Sequence, residues 1–193
     1  MKRICLEVQP GCWLVAVLSL VILPVRWVIA WFLAVVIHEL GHYAALKLFA
    51  VRVNSVSVKL SGTYMHTAPM TLVQETAVAA MGPAFSLLLV LLSPFMPYTA
   101  CCAFFQLLFN LLPLNGFDGW RVLGNFLKLV LPDKHAVTVM KAIQFLLLAG
   151  ICVVALWLRW GALALAVVLV LLVRGGFITF PCKRRKQIVQ WSK

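Results

Sequence analysis

The sequence predicts an all-α polytopic membrane protein with about six transmembrane helices and a small membrane-associated β-hairpin. Of its 193 residues, 64% are hydrophobic and only 11% are charged, and the mean hydropathy is +1.03. A soluble domain keeps about 25% charged residues because its surface faces water. The apolar residues here are gathered into long runs, and the Lys and Arg residues lie mostly between those runs. Most of the molecular surface is therefore expected to face lipid.

Six apolar runs are candidates for membrane helices. A spanning helix needs about 20 mostly apolar residues, so the first and last runs are short for this role. The first run follows Met1-Lys2-Arg3, but no small-residue cleavage site comes after it, and we expect a retained helix instead of a signal peptide. We expect one membrane-embedded domain over residues 1–193. The runs cover roughly residues 11–25, 27–50, 73–92, 98–112, 136–158 and 161–174.

The basic residues predict the membrane topology. With the N-terminus in the cytoplasm, all but two of the 17 Lys and Arg residues fall on the cytoplasmic side, and only Arg26 and Arg159 lie outside. Cytoplasmic segments carry such an excess, so we expect a multi-pass protein of the cell membrane with both termini in the cytoplasm. The net charge of +12 follows this pattern. It does not form the basic face of a soluble nucleic-acid-binding fold, and nucleic acid is not an expected partner.

Residues 51–60 differ from the apolar runs. Val51 and Val53 alternate with polar residues, and the phase of the alternation shifts after Asn54-Ser55. Alternation with β-branched residues predicts strand, and the phase shift predicts a turn or bulge. Two interpretations stay open: the strands cap the cytoplasmic face of the helices, or they hold a substrate chain by main-chain pairing.

The second run contains the sequence His38-Glu39-Leu40-Gly41-His42. On a helix, His38 and His42 share one face, so that both imidazoles can bind one metal ion. Glu39 can then take a proton from water at the metal. The alternative is a chance H-E-x-x-H, but two histidines and a carboxylate are costly inside a membrane helix without a metal. We therefore predict a single zinc ion.

A third protein ligand is expected from the few acidic residues of the chain. Glu75 fits a helix-capping pattern with Thr71 and Gln74, whereas Asp118 follows a run broken by Pro113 and Gly116. The predicted topology brings Asp118 to the same leaflet as His38 and His42. The alternative for Asp118 is an ordinary Asp-Gly turn between helices.

Asn110 lies near the end of the fourth run, before Pro113. Its amide could hold a substrate carbonyl, or it could satisfy backbone groups that the proline leaves without partners. Both interpretations stay open at the level of sequence.

Together, H-E-L-G-H and the later N-x-x-P-x-x-x-x-D-G resemble the site-2 protease family of intramembrane zinc metalloproteases, especially its minimal bacterial, sporulation-type six-helix members. The resemblance covers about residues 27–131. It implies that His38, His42 and Asp118 bind zinc and that Glu39 is the catalytic base. It also implies a hairpin around residues 51–66 that offers an edge strand to substrate, for which Val53, Asn54 and Ser55 are our candidate substrate-binding residues, together with Asn110.

The segment Gly82-Pro83-Ala84-Phe85-Ser86 resembles the family's G-x-x-x-N/S/G helix, which packs against the active-site helices. Ser86 stands where many members carry Asn, and we expect neither a PDZ nor a CBS domain. A membrane-protein substrate cleaved by zinc-activated water is expected from where the site lies, because only chains that enter at that depth reach it. The bilayer and a regulatory membrane partner are the further candidate partners. The alternatives are a membrane metal transporter and a catalytically inactive binding protein. Transporters usually show repeated or symmetric broken helices, and no such repeat stands out in this sequence; all four expected active-site residues are present, which disfavours the inactive protein. Glu39→Gln separates the peptidase from the transporter, because it should stop cleavage while zinc stays bound.

Overall fold

The computed structural model describes residues 5–59 and 62–157. Over this part the chain is mainly helical with one small sheet, which confirms the predicted fold class. The predicted run 161–174 lies outside the described residues. The strands are β1 (Cys5–Val8), β2 (Val53–Lys59) and β3 (Gly62–Thr67). The helices are α1 (Pro10–Ile22), α2 (Val25–Leu48), α3 (Leu72–Leu91), α4 (Pro97–Leu111), α5 (Asp118–Val130) and α6 (Asp133–Trp157).

Three helices of the described part are long and apolar enough to cross a membrane. They are Val25–Leu48, Leu72–Leu91 and Asp133–Val154. Helices α1 and α4 occupy two further predicted runs, but they contain 13 and 15 residues, fewer than the about 20 that a straight span needs. These apolar helices identify a membrane protein.

Helix α5 was not among the predicted runs. The segment is short and mixes basic with apolar residues, so it fails the test for a membrane span. Phe126, Leu129 and Val130 are exposed near its end, whereas Gly119 and Asn125 are buried. Apolar residues three and four positions apart were the sequence signal for such a helix.

The beginning of α3 confirms the predicted capping box. The Gln74 amide donates to Thr71 Oγ1 at 3.3 Å, and the Thr71 amide donates to Gln74 Oε1 at 3.0 Å. These two bonds satisfy amides that have no partner within the helix. Glu75 lies in the first turn of α3, where its charge complements the helix dipole.

The sheet has the order β1-β2-β3. Strands β2 and β3 form the predicted antiparallel hairpin, and the register shifts between Val53 and Ser55, where the phase of the sequence pattern changes. Strand β1 was not predicted; it pairs in parallel with β2, with Cys5 opposite Ser55 and Val8 opposite Val58. Strand β2 is therefore the inner strand, and β3 carries the outer edge of the hairpin.

Helices α2, α3 and α4 pack closely through small side chains. Ala34, Leu89 and Ala103, one from each helix, form one buried cluster. A Cβ atom on Gly41 would overlap the backbone carbonyl of Met81, so the glycine permits the close approach of α2 to α3. Small residues at helix contacts allow this packing in membranes, where burial of apolar surface gives little driving force.

The N-terminal ends of α2 and α4 are joined by aromatic contacts. The rings of Trp27 and Tyr98 meet edge to face with centroids 5.0 Å apart, and the Arg26 guanidinium lies 5.1 Å from the centre of the Tyr98 ring. Arg26 is one of the two basic residues that the sequence assigns to the outer face. A cation over an aromatic ring is a favourable arrangement at such an end.

By its internal contacts the chain divides into residues 1–147 and 148–193. The first unit contains the sheet, α1 to α5 and the beginning of α6. The described part of the second unit is the final portion of α6. The single domain expected over residues 1–193 stays a prediction.

Candidate metal centre

Helix α2 supplies two imidazoles from adjacent turns of one face. His38 is 2% exposed and His42 is partly buried. Their Nε2 atoms lie 3.2 Å apart, and the two rings meet edge to face. The four-residue spacing on a helix produces this convergence, as the sequence predicted.

Asp118 reaches the same point from the start of α5. Its Oδ2 atom lies 3.1 Å from His38 Nε2 and 3.3 Å from His42 Nε2. Helix α4 ends at Leu111, and Gly116 adopts a φ of 94°, a left-handed conformation that glycine tolerates. A Cβ atom on Gly119 would overlap the carbonyl of Leu111, so this glycine lets α5 begin close against the end of α4.

Helix α3 provides hydrogen-bond partners for the other nitrogen of each imidazole. His42 Nδ1 donates to the backbone carbonyl of Val78 at 2.8 Å. His38 Nδ1 lies 2.8 Å from Ser86 Oγ, and Ser86 is fully buried. Both Nε2 atoms are thereby directed towards Asp118.

This set of atoms fits a zinc ion. The bond to Val78 places the proton of neutral His42 on Nδ1 and leaves a lone pair on Nε2, and the Asp118 carboxylate is also an electron-pair donor. The three separations of 3.1, 3.2 and 3.3 Å are close to the edge of about 3.3 Å of a tetrahedron with bonds of about 2.0 Å, as zinc forms with nitrogen and oxygen. Among the described residues, the group of side chains that could hold a metal ion consists of His38, His42 and Asp118.

The charge state of Asp118 suits this role. Burial raises the pKa of its carboxyl group, but hydrogen bonds and the charge of His38 and His42 outweigh burial and lower the pKa from 3.8 to about 2. The carboxylate is thus ionised at neutral pH.

Glu39 follows the first histidine on α2 and is partly buried. Its carboxylate adjoins the side chain of Thr63 on β3. The sheet therefore contacts the acidic residue that the sequence assigned as base. No feature of the sequence predicted this contact, because 24 residues separate the two positions.

Asn110, at the end of α4, lies beside the same site. Its Nδ2 atom is 3.4 Å from His38 Nε2. An amide in this position can donate a hydrogen bond to an oxygen bound near the histidines. The substrate-carbonyl role of Asn110 stays a prediction.

The other candidate substrate-binding residues lie on β2. Val53 packs against the buried cluster of Ala45, Leu46 and Val78. Ser55 has partners on both sides, Cys5 on β1 and His66 on β3. The substrate-binding role of Val53, Asn54 and Ser55 stays a prediction.

Gly82 and Ser86 were assigned only a packing role by the sequence, but both adjoin the histidines. A Cβ atom on Gly82 would overlap the His42 ring and approach His38 Nε2. The spacing of four residues between Gly82 and Ser86 was the available signal, since it puts both on one face of α3. Which helix this face would meet is a matter of tertiary structure.

Comparisons with known proteins add a likeness of fold. No family model matches the chain, and no curated protein matches it. Among solved structures, the chain is similar to the site-2 protease from Methanocaldococcus jannaschii, with a TM-score of 0.66 and 19% sequence identity. The match covers 95% of this chain and 96% of that chain, so the two proteins share a fold over nearly their whole lengths.

Proposed function

We propose that this chain is an intramembrane zinc metalloendopeptidase of the site-2 protease type, which cleaves membrane-spanning or membrane-associated proteins. The convergence of His38, His42 and Asp118 beside Glu39 is the observation that carries the proposal. The histidines and Glu39 lie on a helix long and apolar enough to cross a membrane. The shared fold with a solved site-2 protease supports the same conclusion.

In the proposed mechanism, His38, His42 and Asp118 would hold the ion. Zinc bound there supplies Lewis acidity, which activates water and polarises a peptide carbonyl. Glu39 accepts the proton of the attacking water and delivers it to the leaving amine. Asn110 donates a hydrogen bond to the carbonyl oxygen as negative charge develops on it.

The proposed substrate is a membrane protein whose scissile segment is unwound. Peptide bonds in a helix are already hydrogen-bonded, so the cleaved segment has to adopt an extended form. Such a chain can pair with a free strand edge. Because β1 and β3 flank β2, the proposed pairing surface is the outer edge of β3, the strand whose Thr63 contacts Glu39.

The proposed location is the cell membrane, with several spans and both termini in the cytoplasm. The distribution of Lys and Arg supports this orientation. It puts the H-E-L-G-H end of α2 near the cytoplasmic leaflet. A regulatory membrane partner stays an expectation.

The variant Glu39→Gln tests the function directly. Cells that naturally make the protein would carry either the parent or the variant, and new N-termini in membrane proteins would be mapped by mass spectrometry. We expect cleavage products that depend on the parent to disappear, since loss of a general base costs roughly 10²–10⁴-fold in rate. Zinc content of the purified variant should equal that of the parent.

Unchanged cleavage products with zinc retained would remove the peptidase mechanism. The metal-transporter alternative predicts a different result. In that case the parent in proteoliposomes would move zinc across the bilayer, and no cleavage product would depend on Glu39.

A further inference from the structure

Three successive turns of α3 face the two histidines. Val78, Gly82 and Ser86 are spaced four residues apart and therefore lie on one face of the helix. The backbone carbonyl of Val78 bonds to His42, and the hydroxyl of Ser86 bonds to His38. Gly82, which has no side chain, leaves room for the His42 ring. This helix contributes no ligand of its own, yet it touches both imidazole ligands.

The two imidazoles are held by different kinds of partner. A carbonyl oxygen can only accept, so the bond to Val78 fixes the proton of His42 on Nδ1. No side-chain substitution removes that carbonyl. The partner of His38 is a serine side chain, which a single substitution does remove. The partner of His38 Nδ1 is thus supplied by one side chain.

Ser86 and His38 are both buried away from water. Ser86 is 0% exposed and His38 is 2% exposed, so water has little access to replace the hydroxyl as a partner of Nδ1. With Nδ1 bonded to Ser86 Oγ at 2.8 Å, the opposite nitrogen, Nε2, lies between Asp118 and His42. Hydrogen bonds to the outer nitrogen of a histidine ligand fix its tautomer and orientation and raise its basicity.

We propose that Ser86 is a positioning residue that accepts a hydrogen bond from Nδ1 of His38 and thereby presents Nε2 to the zinc ion. This inference rests on the proposed zinc site. It assigns Ser86 a role in metal retention that is separate from filling space between α2 and α3. Loss of the hydroxyl is expected to weaken zinc binding roughly 10–100-fold, the usual effect of removing such a partner.

The test compares Ser86→Ala, Ser86→Gly and Ser86→Thr with the parent, using the full chain in detergent. Zinc affinity and the rate of zinc loss to a chelator are measured, and cobalt is substituted so that its visible absorption reports ligand geometry. We expect the variants Ser86→Ala and Ser86→Gly to bind zinc equally weakly and to show an altered absorption spectrum when cobalt is bound. Thr, which keeps the hydroxyl, should restore both towards the parent values.

Thr99→Val is the matched control, because Thr99 is also buried and lies near the opposite end of α4 from Asn110. This variant removes a buried hydroxyl and should leave zinc affinity and the cobalt spectrum unchanged. Circular dichroism and size-exclusion chromatography establish that each variant is folded.

Parental zinc affinity in Ser86→Ala would overturn the inference while leaving the proposed function intact. A graded loss of zinc affinity would also overturn it if Ser86→Gly bound zinc more weakly than Ser86→Ala and Ser86→Thr bound it most weakly. That order would follow how well each side chain fills the space and not whether it carries a hydroxyl. A parent protein that takes up no zinc would overturn the proposed function itself, and this inference with it.

Discussion

Helix α3 and strand β3 contact the same candidate site in different ways. Helix α3 meets the histidines through a buried serine, a glycine without space for a side chain and a backbone carbonyl. Strand β3 meets Glu39 through one threonine and forms the outer strand of the sheet. We infer that the two elements have different roles: the close-packed helix holds the metal ligands in position, and the edge strand adjoins the reacting groups.

The largest expected effect comes from Gly82→Ala, which tests the α3 side of this comparison. The added methyl group would overlap the His42 ring, so the imidazole has to move. We expect zinc affinity to fall by more than the roughly 10–100-fold of a lost hydrogen-bond partner, and cleavage to become undetectable. Metal content and cleavage of membrane-protein substrates would be measured together.

Gly150→Ala is the control for this substitution. Position 150 is also a helical glycine, and a Cβ atom there meets nothing within 4 Å among the residues that the structure describes. Helix propensity favours alanine by about 1 kcal/mol at both positions, so a loss confined to Gly82→Ala reports the overlap with the histidine. Full zinc binding by Gly82→Ala would contradict the close contact between α3 and His42.

An intermediate effect is expected from Asn110→Ala, which separates ligand holding from catalysis. Asn110 lies 3.4 Å from His38 Nε2 but is not one of the predicted ligands. Its removal should lower kcat by roughly 10²–10³-fold, the cost of losing one donor to a developing oxyanion, with zinc content unchanged. If zinc is lost in parallel with activity, Asn110 acts by supporting the metal site and not by binding the carbonyl oxygen.

The smallest effect is expected from Thr63→Val on the β3 side. The substitution keeps the shape of the side chain and removes the hydroxyl group that adjoins Glu39. A hydrogen bond from this hydroxyl to the carboxylate would contribute about 1.5–3 kcal/mol, so we expect kcat to fall by roughly 10–100-fold with zinc retained. Single-turnover cleavage and metal analysis would measure the two properties separately.

Thr67→Val provides the comparison on the same strand, because Thr67 pairs with Val53 at the far end of β3. Its activity should equal that of the parent. Equal losses in both variants would indicate a general weakening of the hairpin and would remove the specific link between Thr63 and Glu39.

Much of the candidate site was evident from local sequence. His38 and His42 share a face because of the helical period, and the break at Pro113 and Gly116 sets Asp118 apart from the helix before it. The hairpin and the bulge near Asn54 follow from alternation and its change of phase. These features depend on residues that lie close together in the chain, so they can be recognised from the order of residues in the sequence.

Other features depend on contacts between distant segments. Strand β1 pairs with β2 across about 50 residues of sequence, and this pairing turns β2 into an inner strand and moves the proposed pairing edge to β3. The contact between Ser86 and His38 joins positions 48 residues apart. Sequence determined which side chains can bind a metal, since that is a matter of chemical type and helical spacing. Tertiary structure alone decided which partners orient them, because only packing selects among the many faces that a helix or strand could meet.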